Sequence, residues 1–496
     1  MKKLKYLLIV AIFIGCDDFI TLEPQDSLTS SGFYKTESDA ISAINATYSA
    51  FQTLNYYGFN LPVLTNVSAQ DAVKGGFGAG DRAEYQQFAD YTVADNNTWS
   101  IDFYKSAFGG INRANQVLDN VSLIEVGADM SQEVKTRVLG EAHFLRALNY
   151  YNLACAYGGL PLFSAVQDIN DPVPPRASLE ETWGFIISDF EMASSMLPDT
   201  YAAGDLGRAT AGAANAMLAR IHTARGEYTD AKFYVDAVIG SSANYDLNPD
   251  YYENFTEAGN NNVESIFEIQ YSHGTASLGV WSGTGDWNSN QVSRYTAPQG
   301  QPASGGGGWA FMQPSQDLVD DYESGDLRLS GTVYMPGDPI GDGVFEPNAS
   351  THASNAGLYG NKKYTTVNAD GTGGQGAAVN YKVIRFGEIL LLKAEVENEL
   401  NAGVPQEALD AFNRIRLRAG LPEVNATNNP GLDQASFRDI IMHERRIELA
   451  MEGITFFDAN QRGIGLDLFG DHGFQAGDEL FPLPASEIEL TGWGQN

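Results

Sequence analysis

At 496 residues the chain is long enough for one large domain or several, and an apolar content of 43% excludes an intrinsically disordered chain. With 30 basic against 63 acidic residues the formal charge is −33, which repels nucleic acid and anionic lipid surfaces and suits a neutral ligand or one carried with cations. Fifty-two glycines and 24 tyrosines point to many loops and an aromatic-rich surface.

Met1–Gly15 reads as a signal peptide, with Lys2, Lys3 and Lys5 ahead of the apolar run Tyr6–Ile14, which is too short to span a bilayer. Without it, 27 basic residues face 63 acidic ones, a charge of −36. Ile14-Gly15-Cys16 has the form of a lipobox end, so Cys16 is expected to carry a lipid, although Phe13 stands where Leu is usual. An ordinary secretory signal with a chance cysteine is the alternative. Membrane attachment through that lipid alone leaves Cys155 as the single remaining cysteine, a small core residue on an apolar helix face. Residues 16–31 read as a tether.

Helical spacing then appears over Glu37–Leu54, with Ser38 as the expected cap. Asn55–Asp81 reads as a loop holding Asp71, Lys74 and Phe77. Trp99–Val121 returns to helical spacing, with Trp99 in the core. Val134–Pro161 carries two adjacent apolar stripes and so is expected between other helices; Arg137 and Glu141 pair i,i+4, and Gly158, Gly159 and Pro161 end it. After a proline-rich link, Leu179–Leu197 is helical. Gly207–Gly240 and Phe386–Gly420 each read as a helix pair, turning at Gly226 and Gly403, with small residues and aromatics placed as in a tetratricopeptide repeat of about 34 residues. Ser265–Tyr271 alternates like a strand. From Ser272 to Ala378 helical periodicity is lost among Gly, Asn, Ser and Thr, a span too long for a structureless loop. Ser436–Gly453 is the last strong helix.

The run FYKTESDAISAINATYSAF, the run GEAHFLRALNYYNLACAYGGLPLF, Glu444-Arg445-Arg446 with Glu448, Glu452 and Gly453, and the closing LFPLPASEIELTGWGQN form four separate blocks. They resemble the SusD/RagB family of surface nutrient-binding lipoproteins of the Bacteroidetes outer membrane. Asp17 and Asp18 after Cys16 resemble the surface-export signal of such lipoproteins. The resemblance implies a mainly α protein: tetratricopeptide-like helical pairs over 32–271 and 379–496 as the scaffold, and a loop-rich ligand-binding region over 272–378 carrying short strands. It also implies a glycan or oligosaccharide ligand, a SusC-like TonB-dependent transporter as partner, and a lipid-anchored place on the outer-membrane surface. A peptide-binding member of the family and a scaffold that binds only protein are the alternatives.

Sugar faces stack on aromatic rings while carboxylates, amides and guanidinium groups bind hydroxyls. Trp281, Trp287, Tyr295 and Trp309 lie among small polar residues, with Phe311 nearby, and are the ring candidates. Asp71, Lys74 and Phe77 are the candidates from the first loop. No enzyme is expected: the histidines have no partner at metal spacing, there is no G-x-S-x-G elbow, and Gly305–Gly308 lacks the end of a phosphate loop. No cofactor is expected either, and Ca²⁺ among the many carboxylates stays open. The Glu444–Glu448 cluster reads as a structural ion network.

Overall fold

The computed structural model describes residues 33–168, 170–273, 289–299, 308–341, 343–347, 356–365 and 377–496. Cys16, Trp281 and Trp287 lie outside the described residues.

The frame is helical. Its main helices are α1 (Glu37–Tyr48), α2 (Asn60–Ser68), α3 (Thr98–Val121), α4 (Gln132–Tyr157), α5 (Leu179–Met196), α6 (Ala211–Ala224), α7 (Tyr228–Ile239), α8 (Phe386–Leu400), α9 (Gln406–Arg418), α10 (Gln434–Glu448) and α11 (Thr455–Gln461). Helix α4 packs between α3 and α5, and the succession runs on from α5 through α6, α7 and α8 to α9 and α10. Each of α6–α7 and α8–α9 is a helical hairpin, the tetratricopeptide-like pair expected. Gly226 at the first turn has φ 73° and Gly403 at the second 93°, a region that costs other residues a clash at Cβ.

The two stripes of α4 have the consequence expected of them: from Phe144 to Tyr157 every residue is buried. One charged side chain in this stretch ties three helices together. Arg146 donates from Nε and Nη2 to Asp189 of α5 at 2.7 and 2.8 Å, and from Nη1 to Asn115 of α3 at 2.7 Å. Cys155 is buried as expected, and burial raises its thiol pKa.

Two local expectations are corrected. The cap of α1 is Thr36, not Ser38: Thr36 Oγ1 accepts from the Asp39 N–H at 3.2 Å, and Asp39 Oδ2 accepts from the Thr36 N–H at 2.9 Å. The supposed loop 55–81 contains α2. All nine of its residues are buried, so it shows no polar face by which a period could be recognised.

The irregular insertion leaves the frame from a two-stranded antiparallel sheet, β2 (Ser265–Ile269) with β8 (Tyr381–Arg385). Between them lie short helices at Gln291–Thr296, Gln316–Asp320 and Leu327–Thr332, and the small strands β3 (Phe311–Pro314), β4 (Val333–Tyr334), β5 (Pro339–Ile340), β6 (Gly343–Val344) and β7 (Gly360–Asn361). The first loop reaches into this region: β1 (Ala72–Gly75) pairs antiparallel with β3, Ala72 opposite Pro314 and Gly75 opposite Phe311.

A buried ion network fastens the insertion to the frame. Arg328 and Asp326 of the insertion pair at 2.7 Å, and Arg328 also reaches Glu444 at 2.6 Å and Glu448 at 3.1 Å on α10. Lys363 of the insertion reaches Glu452 at 2.9 Å. Arg385 at the end of β8 binds Glu264 at 2.7 Å and Glu452 at 2.9 Å, and also holds Glu448, which Arg418 of α9 engages as well. Burial alone would raise the Glu448 carboxyl; Arg418, Arg385 and Arg328 outweigh it and hold it far below the usual range.

Candidate functional site

The site grows from the β1–β3 pairing. Gly75 makes that pairing possible: its φ is 70°, and a Cβ there would lie 1.8 Å from the Ala310 carbonyl oxygen. Gly76 N–H donates to the same oxygen at 2.9 Å. The chain then turns outward and carries Phe77 to the surface, 60% exposed. Across from it Trp309, partly exposed, meets Phe77 with ring centroids 6.4 Å apart and planes at 61°. Trp309 rests edge-to-face on Tyr295 at 4.5 Å, and its backbone N–H donates to the Arg294 carbonyl at 3.2 Å. The Arg294 guanidinium lies 5.5 Å from the Trp309 ring. The result is an angled pair of rings with a planar cation at its edge.

Beneath this pair is a second tier. Arg82 is buried at the end of the Phe77 loop, its guanidinium 4.6 Å from the Trp99 ring, 5.0 Å from Tyr295, 5.1 Å from Phe59 and 5.5 Å from Phe311. Its charge opposes the rise that burial gives the hydroxyl pKa of Tyr85 and of Tyr295. Such a cage is held by the quadrupoles of the rings and by dispersion.

Three expected contact residues belong to the support and not to the surface. Tyr295 is 1% exposed because Trp309 and Phe59 cover its ring. Asp71 is fully buried, accepting from Arg446 Nε at 3.2 Å and from the Thr455 hydroxyl at 3.0 Å; burial raises its carboxyl pKa despite them. Lys74 is turned inward, its ammonium donating to the carbonyls of Gly75, Gly78 and Asp81. Trp309 and Phe77 are the expected residues that the structure brings together at the surface. Arg82 and Arg294 were not anticipated from the sequence, where nothing marks an arginine as ring-stacked.

A cavity of about 440 Å³ lies elsewhere, between α10 and the segment 454–468. Its walls are ion pairs and aliphatic side chains such as Met442, Leu449 and Ile464, with no phenyl or indole ring for a sugar face. Among the described residues no three His, Cys, Asp or Glu side chains are grouped to hold a metal ion, and no helix is long and apolar enough to cross a membrane.

A family profile described as "SusD family" matches residues 263–460, and one described as "Starch-binding associating with outer membrane" matches residues 44–222. The SusD-like protein P2 of Formosa agariphila is 31% identical over 98% of this chain and 97% of its own length. The chain belongs to the SusD family. A SusD-like protein of Bacteroides ovatus is 26% identical over 91% of this chain and 81% of its own. Among solved structures, a laminarin-binding SusD-like protein superposes with a TM-score of 0.79 at 26% identity, covering 93% of this chain and 99% of that one. A SusD-like protein of Bacteroides fragilis has the same fold, with a TM-score of 0.79 at 23% identity over 96% and 99% of the two chains. Members of the SusD family bind carbohydrate and are not enzymes. In this SusD-family chain the Glu444–Gly453 block supplies three acids of the buried network, Glu444, Glu448 and Glu452, and its arginines pair with Asp458, Asp71 and Asp321.

Proposed function

We propose that this SusD-family protein captures a neutral glycan at the cell surface and passes it to a SusC-like TonB-dependent transporter, held to the outer membrane by a lipid on Cys16. The observation that carries the ligand reading is the Phe77–Trp309 pair: two large rings brought to the surface from segments far apart in sequence, with the Arg294 guanidinium beside them. Sugar C–H faces stack on such rings, and a guanidinium donates to hydroxyls. The charge of −33 opposes polyanionic glycans and favours a neutral one. The laminarin-binding relative directs the first choice of ligand to β-glucan. Trp281 and Trp287 extend the same reading beyond the described residues.

Calorimetric titration with laminarihexaose, beside an α-glucan and a peptide mixture, tests this. Trp309→Ala is expected to weaken glycan binding about ten-fold or more, roughly 1.4 kcal/mol, and Phe77→Ala somewhat less. Full affinity in both variants would remove this pair from the site, and binding of peptide alone would favour the peptide alternative. Loss of membrane attachment in Cys16→Ala, and co-purification of a TonB-dependent barrel with the native protein, test the anchor and the partner.

A further inference from the structure

We infer that Lys74 is a positioning residue of the glycan platform: its inward ammonium clasps the loop that presents Phe77 to Trp309. Lys74 sits in β1, immediately before that loop, and is 6% exposed although it lies in a Gly-rich, surface-bound segment. Its Nζ donates to the carbonyl oxygens of Gly75 at 2.9 Å, Gly78 at 3.2 Å and Asp81 at 2.8 Å. An ammonium has three donors and no acceptor, so these three carbonyls use it fully. They come from the start, the middle and the end of the loop. A short glycine-rich loop of this kind, with Gly76, Gly78 and Gly80 in six residues, would otherwise sample many conformations.

Two further contacts complete the clasp. Asp81 Oδ2 accepts from the Phe77 N–H at 3.0 Å, fixing the residue whose ring is displayed. Arg82, the next residue, has φ 47° and is fixed in its cage of rings. Phe77 therefore stands 60% exposed on a loop whose backbone is gathered around one buried cation. A ring held in its bound position loses little freedom when a ligand stacks on it, which is the advantage of preorganisation. Lys74 touches no ligand in this scheme; it acts through Phe77.

The inference rests on the glycan reading above, and the test separates the two. Lys74→Met keeps the length and removes the charge. Laminarihexaose affinity is measured for Lys74→Met, Phe77→Ala and the double variant, and amide exchange over residues 75–82 is followed without ligand. Lys74→Met is expected to accelerate that exchange several-fold and to weaken binding three- to ten-fold. The double variant is expected to bind no worse than Phe77→Ala, because the two residues act through one ring. Lys74→Gln, which removes the charge but keeps a polar end with two donors, serves if Lys74→Met does not fold, and is expected to show a smaller loss with the same non-additivity. Unchanged affinity in the charge-removed variant, or losses that multiply in the double, would overturn the inference while leaving glycan binding standing. Wild-type protein that binds no glycan would overturn the glycan reading itself, whatever the exchange rates show.

Discussion

The insertion is fastened at two places, and the fastenings are of opposite kinds. Its lower part, with Asp326, Arg328 and Lys363, is bolted to the helical frame by a dense network of buried charges. Its upper part, with Tyr295, Trp309 and Phe311, is held to the first loop by ring contacts, a short β-ladder and two cations that face carbonyls and rings. Charge networks are demanding in geometry, since a buried ion without its partner is costly, so they fix one arrangement. Ring contacts are more forgiving and leave apolar faces available at the surface. The frame end of the insertion thus secures a single register, and the far end displays rings.

The largest effect is expected at the ionic end. Arg385→Met leaves Glu264, Glu448 and Glu452 buried without their shared guanidinium. Removing one partner of such a group costs about 3–5 kcal/mol, so thermal unfolding should begin well below the wild-type temperature. At temperatures where the variant is still folded, glycan affinity should match the wild type. A selective loss of affinity in folded Arg385→Met would mean that the two ends are coupled and the division drawn above is false.

A smaller effect is expected from acid. Burial would raise the Asp458 carboxyl, but Arg445 and Arg462, at 3.0 and 2.9 Å, outweigh it and hold it at about 2. Its folded pKa is thus depressed below the usual 3.8, so the stabilisation is complete above that value and is lost as pH falls through it toward 2. The amount is about 2 kcal/mol. Stability measured between pH 6 and 2 should show this loss in wild type and a smaller one in Asp458→Asn. An identical acid profile in the variant would remove Asp458 from the account.

One side of the ionic end was legible in the sequence; its partners in the insertion and the ring end were not. Glu444, Arg445, Arg446 and Glu448 fall within five residues of one helix and read as a structural ion network, but their partners, Arg328, Asp458, Asp71 and Arg385 among them, all lie elsewhere in the chain. The α4 stripes and the turn glycines Gly226 and Gly403 were likewise local signals. Asp71 and Lys74 misled because polar residues in a Gly-rich stretch suggest exposure, whereas the partner that buries Asp71 is Arg446, 375 positions away. Lys74 finds its partners close by, but in backbone carbonyls, which no residue pattern announces. The Phe77–Trp309 pair depends on the β1–β3 ladder between segments more than 200 positions apart, so only the separate rings were visible.

The smallest effect offers the sharpest check on the ring end. Tyr295 contributes a ring beneath Trp309, at 4.5 Å, and a hydroxyl whose pKa the Arg82 charge holds down against burial. If Tyr295 serves as support, the ring matters to the platform and the hydroxyl only to the cage below. Tyr295→Phe should then cost no more than about 1 kcal/mol of stability for the lost polar group and leave glycan affinity within two-fold. Tyr295→Ala should weaken binding much as Trp309→Ala does, because the indole loses the surface it stands on. A ten-fold loss of affinity in Tyr295→Phe would show instead that the hydroxyl meets the ligand directly. The buried tier would then have to open on binding, and the ring end would be a moving part where the ionic end is a fixed one.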